Sequence, residues 1–313
     1  MALSIGVDVG GTKIAAGVVD EEGAVLERIQ RASPANDRAS ILDTIVDCAL
    51  ELKESRPEAV AVGIGAAGFV SSDRNTMASG TNLDWTGVRI GDVVAERVDL
   101  PVVVENDANA AAWGEFRFGV AAGYSSVVVV TVGTGIGGGI IVDGRLLRGS
   151  GGFAGEIGHI NVVPGGLRCG CGLAGCWEAY SSGTALVRFA RALAGERPRA
   201  AARMLELAGG GDIAGLHVTQ AAREGDPAAL ECFAHISHWL GVGLADLSAV
   251  LDPEAYVLAG GVSEAGELLA APTRTSLEES LTARTFRPMP PVMVATLGSN
   301  AGIAGAADLA GTD

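Results

Sequence analysis

The sequence predicts an α/β protein made of two related lobes, and three observations support this fold class. The chain has 313 residues, which is enough for about two domains. Its first half alternates short apolar runs, typical of strands, with helical patterns. A strand–turn–strand unit at residues 5–12 recurs at residues 128–135, and the register continues from 18–20 to 141–143. This weak internal repeat indicates two lobes, each presenting a glycine-rich turn to a shared cleft.

Each element follows from its local pattern. Residues 40–55 carry apolar side chains at helical spacing, and residues 59–64 form an apolar run typical of a buried strand. We expect a lobe boundary near residue 113, giving lobes 1–113 and 114–299, with residues 300–313 as a candidate to complete the first. Strands are predicted at 3–9, 14–19, 24–30, 59–64, 102–104 and 256–258, and on both sides of the turn at 131–139. Helices are predicted at 40–55, 90–98, 108–116, 184–194, 200–207, 219–223, 227–251, 266–277 and 301–309.

Composition and charge restrict the classes of partner. The chain has 22 basic and 37 acidic residues, a net charge of −15, which argues against nucleic acid and anionic membranes because both attract a positive surface. Phosphate substrates remain compatible, since backbone N–H groups and bound cations can hold phosphate. The N-terminal residues lack the pattern of a secretory signal. The odd number of cysteines, five, favours a reducing compartment, so we expect a cytoplasmic protein.

Two segments match the G-x-G-x-x-G pattern of dinucleotide-binding proteins, residues 63–68 and 133–138. That fingerprint requires a helix to begin at the loop, so that the pyrophosphate lies at the helix N-terminus. A non-helical pattern follows the first segment, and a strand pattern follows the second. The sequence therefore disfavours a nicotinamide or flavin enzyme.

The paired hairpin turns are better candidates for phosphate binding. Glycine lets backbone N–H groups approach phosphate oxygens, and a threonine hydroxyl adds a donor. One such turn could equally be a tight hairpin, but two at matching register favour phosphate. Asp8 ends its strand and could lie near Mg²⁺, which takes one or two carboxylates. The candidate nucleotide contacts are Asp8, Gly10, Gly11, Thr12 and Lys13 in the first turn, Gly133, Thr134 and Gly135 in the second, and Gly260 and Gly261 in a third turn suited to the nucleoside.

A cluster of cysteines gives the most specific signal. His159 is followed by Cys169, Cys171 and Cys176. One histidine and three cysteines form a common structural zinc set, in which four protein ligands leave no open coordination position. The alternative is three unrelated thiols in a loop, but their concentration within eight residues predicts zinc. Cys48 and Cys232 lie in apolar helical patterns, which favour the core.

Residues 105–107, Glu-Asn-Asp, follow a valine-rich strand and precede a predicted helix. Their side chains are expected at the carboxyl end of a strand, where α/β proteins place their sites. Helix capping is the alternative, since Asn and Asp suit an N-cap. Residue patterns alone leave both readings of Asp107 open.

Together these motifs resemble the ROK family (repressor, open reading frame, kinase), and most closely its bacterial ATP-dependent glucokinases. The resemblance covers residues 8–13, 105–107, the second phosphate turn, 155–159 and the cysteine cluster, in the family order. It implies a two-lobed actin/hexokinase-like ATPase fold with ribonuclease H-like lobes and a zinc loop. It also implies Mg-ATP, structural zinc and a homodimer or homotetramer. The activity implied is phosphorylation of glucose at the 6-hydroxyl.

The resemblance also implies roles for individual residues. Asp107 would be the general base on the 6-hydroxyl, and Asn106 would bind the 3- and 4-hydroxyls. The remaining sugar contacts implied are Glu156, His159 and Glu178 near C1 to C3, and Asn82 and the backbone of Gly68 at the border of the sugar. The family's repressors carry an N-terminal helix-turn-helix. Because Asp8 already belongs to the first phosphate turn, we expect no such segment and no DNA binding here. Two alternatives to a glucokinase remain. One is a ROK kinase for another hexose, such as N-acetylmannosamine, N-acetylglucosamine, fructose or allose, and the other is a non-catalytic sugar sensor.

Overall fold

The computed structural model describes residues 2–34, 37–80 and 85–311. The chain divides into two compact units. The first unit consists of Met1–Val128, Gly139–Gly155 and Thr296–Asp313, and the second of Val129–Gly138 and Glu156–Ala295. The predicted lobe boundary near residue 113 stays a prediction.

A five-stranded mixed sheet forms the centre of the first unit, with strand order β3-β2-β1-β4-β7. β1 pairs antiparallel with β2 and parallel with β4, and β4 pairs parallel with β7. The two-stranded β5-β6 ribbon follows β4 and was not predicted. The elements up to residue 118 are β1 (Leu3–Val9), β2 (Lys13–Val19), β3 (Val25–Ala32), α1 (Arg38–Ser55), β4 (Ala59–Ala66), β5 (Phe69–Val70), β6 (Met77–Ser79), α2 (Ile90–Val98), β7 (Val102–Asn106) and α3 (Asp107–Phe118).

Helices α1 and α2 cover one face of this sheet. The Asp37 side chain caps α1 by accepting hydrogen bonds from the N–H groups of Ala39 and Ser40, which satisfies donors that the first helical turn leaves without partners. Cys48 lies fully buried in α1, as predicted for a core residue. Apolar side chains of α1, α2 and the strands form one continuous core, which includes Ile5, Val7, Ile41, Ile45, Leu52, Val62, Ile64, Val94 and Val104.

Glycines make the packing on the other face unusually close. Here α10 (Ala301–Gly311) lies against β1, β4 and α3. A Cβ atom added to Gly6 would lie 1.9 Å from the carbonyl oxygen of Ile303, and one added to Gly63 would lie 1.8 Å from that of Ala306. Gly63 lies inside β4, so its role in the G-x-G-x-x-G pattern is to admit a helix backbone.

The second sheet repeats the topology of the first. Its order is β10-β9-β8-β11-β12, so in both sheets a hairpin is extended on one side by a third strand and on the other by two later strands. This shared order agrees with the repeat seen in the sequence. The strands are β8 (Val127–Val132), β9 (Ile136–Val142), β10 (Arg145–Leu146), β11 (Ala255–Ala259) and β12 (Val292–Val294), of which β10 and β12 were not predicted.

Helices make up most of the second unit. α8 begins where the Asp226 side chain accepts a hydrogen bond from the N–H of Ala229, and it ends before Asp252, whose φ is 48°. Helices α8 and α9 pack against each other. The helices are α4 (Glu178–Ser181), α5 (Gly183–Glu196), α6 (Ala202–Leu207), α7 (Gly215–Arg223), α8 (Pro227–Leu251) and α9 (Glu267–Ser280). Among the helices in the described ranges, none is long and apolar enough to cross a membrane.

Candidate active site and metal centre

The turn after β1 places a carboxylate beside exposed backbone. Its ends are joined by a hydrogen bond from the N–H of Gly10 to the carbonyl of Lys13, 3.0 Å. Gly11, Thr12 and Lys13 are exposed at the tip. Burial and the negative charge of Asp107 raise the pKa of Asp8 to about 6, although Lys13 and Arg28 oppose the shift. Asp8 therefore lies near Asp107, as a site built from both carboxylates requires.

The start of α3 separates the roles of Asn106 and Asp107. Asn106 is the N-cap, and its Oδ1 accepts a hydrogen bond from the N–H of Asn109, 3.0 Å. Its Nδ2 donates to the carbonyl of Gly68, 3.0 Å. Asp107 is the first residue of the helix and accepts from the N–H of Ala108, 2.9 Å. The capping alternative thus applies to Asn106.

Burial makes Asp107 a stronger base than an exposed carboxylate. Desolvation raises its pKa above the ordinary value, and hydrogen bonds from the backbone N–H groups of Ala108 and Asp107 oppose this only in part. A carboxylate with a raised pKa accepts a proton more readily near neutral pH. The position at a helix N-terminus also suits a negative charge. Asp107 therefore has the chemistry of a general base.

Glu105 is a buried carboxylate to which the sequence assigns no role. It is 3% exposed, and its Oε2 accepts a hydrogen bond from Nε of Arg148, 2.6 Å. The residue pattern could not identify this partner, because Arg148 lies 43 positions later in the chain. Asn82, a predicted sugar contact, lies outside the described residues.

In the second unit, three segments meet around the second phosphate turn. The N–H of Gly133 donates to the carbonyl of Gly135, 3.0 Å. The first residues of α5 bind the same turn: Gly183 donates to the carbonyl of Gly133, 2.8 Å, and the Thr184 hydroxyl to that of Thr134, 2.7 Å. The third glycine turn joins them, since the N–H of Val262 donates to the carbonyl of Val132, 2.9 Å.

These segments border a cavity of about 1160 Å³. Its volume is slightly above the usual range of about 300–1,000 Å³ for small-molecule sites. The predicted contacts Gly133, Thr134 and Gly261 line it, whereas Gly260 has a φ of +84° and lies against β8. The sequence missed its other walls, because they come from separate helices. These walls include Thr184, Val187, Arg188, Arg191, His217, Gln220, Arg223 and Glu264.

The predicted zinc ligands lie together. The candidate ligand atoms of His159, Cys169, Cys171 and Cys176 all lie within 4.8 Å of one another. The Sγ atoms of Cys171 and Cys176 are 3.6 Å apart, and Sγ of Cys169 is 3.7 Å from Nδ1 of His159. Zinc–sulfur bonds of about 2.3 Å place tetrahedral ligands about 3.8 Å apart. The four donors therefore fit zinc, with Nδ1 as the ligand atom of His159.

Aromatic residues anchor the metal loop to the helices. Trp177 follows the last cysteine and is fully buried, and its Nε1 donates to the carbonyl of Trp239 in α8. The hydroxyl of Tyr180 accepts a hydrogen bond from the N–H of Leu167, 2.6 Å. A Cβ atom on Gly243 would lie 2.1 Å from the Trp177 ring, so this glycine is needed for the ring to pack against α8.

Glu178 connects the metal loop to the second phosphate turn. Its Oε2 accepts a hydrogen bond from the N–H of Ile136, 2.9 Å, and its Oε1 lies 3.5 Å from Sγ of Cys169. A Cβ atom on Gly135 would lie 2.2 Å from Oε2. Gly135 therefore makes room for this carboxylate. Glu156 precedes the short 3₁₀ turn that carries His159, and its carbonyl accepts from the N–H of His159, 3.1 Å.

Comparison with known proteins connects these sites to a family. The model of the ROK family matches residues 4–313. The chain is 49% identical to the glucokinase of Streptomyces coelicolor over 312 residues, covering 99% of this chain and 98% of that protein. It is 36% identical to the glucokinase of Thermotoga maritima over 308 residues, covering 97% and 96%.

A solved structure agrees with these relatives. The structure of a ROK family glucokinase from Streptomyces griseus in complex with glucose and AMPPNP is 50% identical, with a TM-score of 0.91 over all of both chains. This match confirms the predicted α/β sugar-kinase fold. The chain belongs to the ROK family.

Proposed function

We propose that this protein is a glucokinase that transfers the γ-phosphoryl group of ATP to the 6-hydroxyl of glucose, giving glucose 6-phosphate and ADP. The observation that carries the proposal is identity of 49–50% over essentially the whole chain to glucokinases, one of them solved with glucose and AMPPNP. The local geometry supports it, because a buried carboxylate with a raised pKa, Asp107, begins α3 beside an ordered amide, Asn106.

Asp107 is the proposed general base. Its carboxylate takes the proton of the 6-hydroxyl as the oxygen forms its bond to the γ-phosphorus and the bond to the β-phosphate oxygen breaks. General-base catalysis of this kind contributes roughly 10²–10⁴-fold. Asn106 is proposed to bind the 3- and 4-hydroxyls. Its Oδ1 accepts one hydrogen bond from Asn109 and its Nδ2 donates one to Gly68. A second lone pair on Oδ1 and a second hydrogen on Nδ2 can then bind the sugar.

The glycine turns are the proposed phosphate contacts. Phosphoryl transfer depends mainly on positioning and on stabilisation of charge. The two turns suit both, because Gly11, Thr12 and Lys13 are exposed in the first turn and Thr134 is exposed in the second. Mg²⁺ bound with ATP would neutralise charge that develops on the phosphates. Asp8 is the residue proposed to lie near that ion. The cavity of the second unit is proposed to take the nucleoside, with Gly260 and Gly261 beside it.

The metal centre is proposed to be a structural zinc site. Zinc would be held by His159, Cys169, Cys171 and Cys176, and with four protein ligands it would order the loop and take no part in the chemistry. With Nδ1 of His159 on the metal side, Nε2 is left to donate to a sugar hydroxyl. Glu156 and Glu178 are proposed to bind hydroxyls near C1 to C3.

A coupled assay over a panel of sugars tests the function. We expect ATP-dependent turnover of glucose to exceed that of N-acetylmannosamine, N-acetylglucosamine, fructose and allose. A higher kcat/KM for another member of the panel would assign the protein to a different hexose. Sugar binding without turnover of any member would make it a sensor. The quaternary structure, a homodimer or homotetramer, and a cytoplasmic location are further proposals, and light scattering after gel filtration tests the first.

A further inference from the structure

Glu105 and Arg148 form an ion pair beside Asn106, one of the proposed sugar-binding residues. The carboxylate of Glu105 accepts three hydrogen bonds: from Nε of Arg148 at 2.6 Å, from Nδ2 of Asn109 at 3.0 Å and from the N–H of Asn106 at 3.1 Å. Its side chain is 4% exposed and that of Arg148 27%. A buried ion pair is weak support for stability, because the cost of desolvation offsets the attraction. Its arrangement around Asn106 suggests another role.

The pair is connected to Asn106 through hydrogen bonds to its backbone and to Asn109. Glu105 holds the side chain of Asn109, and the backbone N–H of Asn109 donates to Oδ1 of Asn106. On its other side, Nδ2 of Asn106 donates to the carbonyl of Gly68. The amide of Asn106 therefore cannot exchange its oxygen and nitrogen without losing both bonds. Asp107 follows directly, so its backbone position depends on the same contacts.

Arg148 also connects this cluster to a loop of the first unit. Its carbonyl accepts a hydrogen bond from the N–H of Ala154, 3.0 Å, which closes the loop between them. The carbonyl of Gly151 accepts from the N–H of Ser72, 3.1 Å. Gly152, with a φ of +93°, lies so close to β5 that a Cβ atom would be 2.3 Å from the carbonyl of Val70. The loop is thus packed on the segment that follows Gly68 in the sequence.

We propose that Glu105 and Arg148 are positioning residues for sugar recognition, and this inference rests on the proposed glucokinase activity. Arg148 fixes the carboxylate of Glu105, and Glu105 fixes the amide of Asn106 and the start of α3. Removal of the Arg148 charge takes the Nε hydrogen bond from the buried carboxylate of Glu105 and leaves Arg74 as a neighbouring positive charge. Removal of the Glu105 charge leaves the half-buried guanidinium of Arg148 beside that of Arg74, a like charge. The carboxylate or guanidinium then turns towards water, and the orientation of Asn106 is lost.

The test compares Glu105→Gln, Arg148→Met, Arg148→Lys and the double variant Glu105→Gln/Arg148→Met with the parent protein. Each single neutralisation is expected to raise the KM for glucose at least tenfold and to leave the KM for ATP within twofold. Arg148→Lys keeps the positive charge and should stay within about threefold of the parent. The double variant removes both charges and should recover part of the loss, as coupled residues do. Arg97→Met is the matched control, since Arg97 forms an exposed pair with Asp43.

A second readout separates positioning from loss of folded protein. 4-Deoxyglucose lacks a hydroxyl that Asn106 is proposed to bind, so the parent should prefer glucose to it in kcat/KM. Arg148→Met should reduce this preference at least threefold, whereas a smaller folded fraction lowers both rates equally. If Glu105→Gln does not fold, the Arg148 variants decide the question, since Arg148 is more exposed.

Several results would overturn the inference. The first is an unchanged KM for glucose in the folded single variants. The second is an unchanged preference of Arg148→Met for glucose over 4-deoxyglucose in kcat/KM. The third is a KM for glucose that rises as much in Arg148→Lys as in Arg148→Met. In those cases the parent still phosphorylates glucose, so the proposed function survives. A parent protein that neither binds glucose in calorimetry nor phosphorylates it would overturn the proposed function, and the positioning role with it.

Discussion

Asp8 and Asp107 lie close enough that the charge of Asp107 adds to the effect of burial and helps to raise the pKa of Asp8 to about 6. Two neighbouring carboxylates disfavour each other's ionised form. At neutral pH the ligand-free protein therefore holds an ionised Asp8 at a cost in stability. A cation bound near Asp8 would relieve that cost.

We predict that Asp8→Asn stabilises the ligand-free protein in a pH-dependent manner. The pKa of Asp8 is higher in the folded state than its ordinary value of 3.8, so the folded state binds the proton more tightly. The penalty is absent below pH 3.8 and complete above about pH 6, where it amounts to roughly 3 kcal/mol. Urea unfolding of both proteins at pH 4.5 and 7.5 measures it. Equal differences at the two pH values would contradict the assignment.

We predict that Asp107→Asn lowers kcat for glucose phosphorylation by at least roughly 10²-fold, because the amide cannot accept the proton. The substitution preserves size and removes a buried carboxylate, so the folded state should be at least as stable as that of the parent. Steady-state kinetics and calorimetric binding of glucose provide the check. Activity within tenfold of the parent would exclude Asp107 as the base.

We predict that Cys171→Ser removes bound zinc and sugar phosphorylation together. Structural zinc binds peptides with an apparent free energy of roughly 10–16 kcal/mol, and its loss should release the loop that presents Glu156 and Glu178. Elemental analysis gives the zinc content per chain, and a chelator should reproduce the effect in the parent. Cys232→Ala, in the core of α8, is the control and should keep its zinc. Full zinc occupancy in Cys171→Ser would exclude this ligand.

We predict that Gly63→Ala destabilises the protein by more than about 1–3 kcal/mol, the usual cost of excess volume in a packed core. The added Cβ would lie 1.8 Å from the backbone carbonyl of Ala306, which cannot rotate away. Gly195→Ala is the matched control. Gly195 lies in the last turn of α5, and outside the helix backbone no atom lies within 4 Å of a Cβ there. Alanine has the higher helix propensity, so this variant should be as stable as the parent or more stable, by less than about 1 kcal/mol. Similar melting temperatures for the two variants would contradict this reading.

The sequence was most informative where chemistry and spacing coincide. The cysteine cluster predicted four donors that the structure brings together, and apolar periodicity predicted α8 with its bounds. The short strands β10 and β12 were missed, because two or three residues are too few to show the alternation of apolar and polar side chains that identifies a strand. The partner of Glu105 was missed because an ion pair between residues 105 and 148 depends on the tertiary fold. Gly63 belongs to a recognisable motif, but a glycine is needed there because a Cβ atom would clash with the backbone of Ala306. No local sequence pattern reveals that contact.

The close fit of α10 against β1 and β4 has a consequence for the newly made chain. Synthesis proceeds from the N-terminus, so the strands that need this helix leave the ribosome long before it does. Until residues 301–311 emerge, one face of the first sheet lacks its covering helix, and the unit cannot complete its packing. Such partly folded chains expose apolar surface and are prone to aggregate. The unit whose synthesis begins first is therefore the last to become complete.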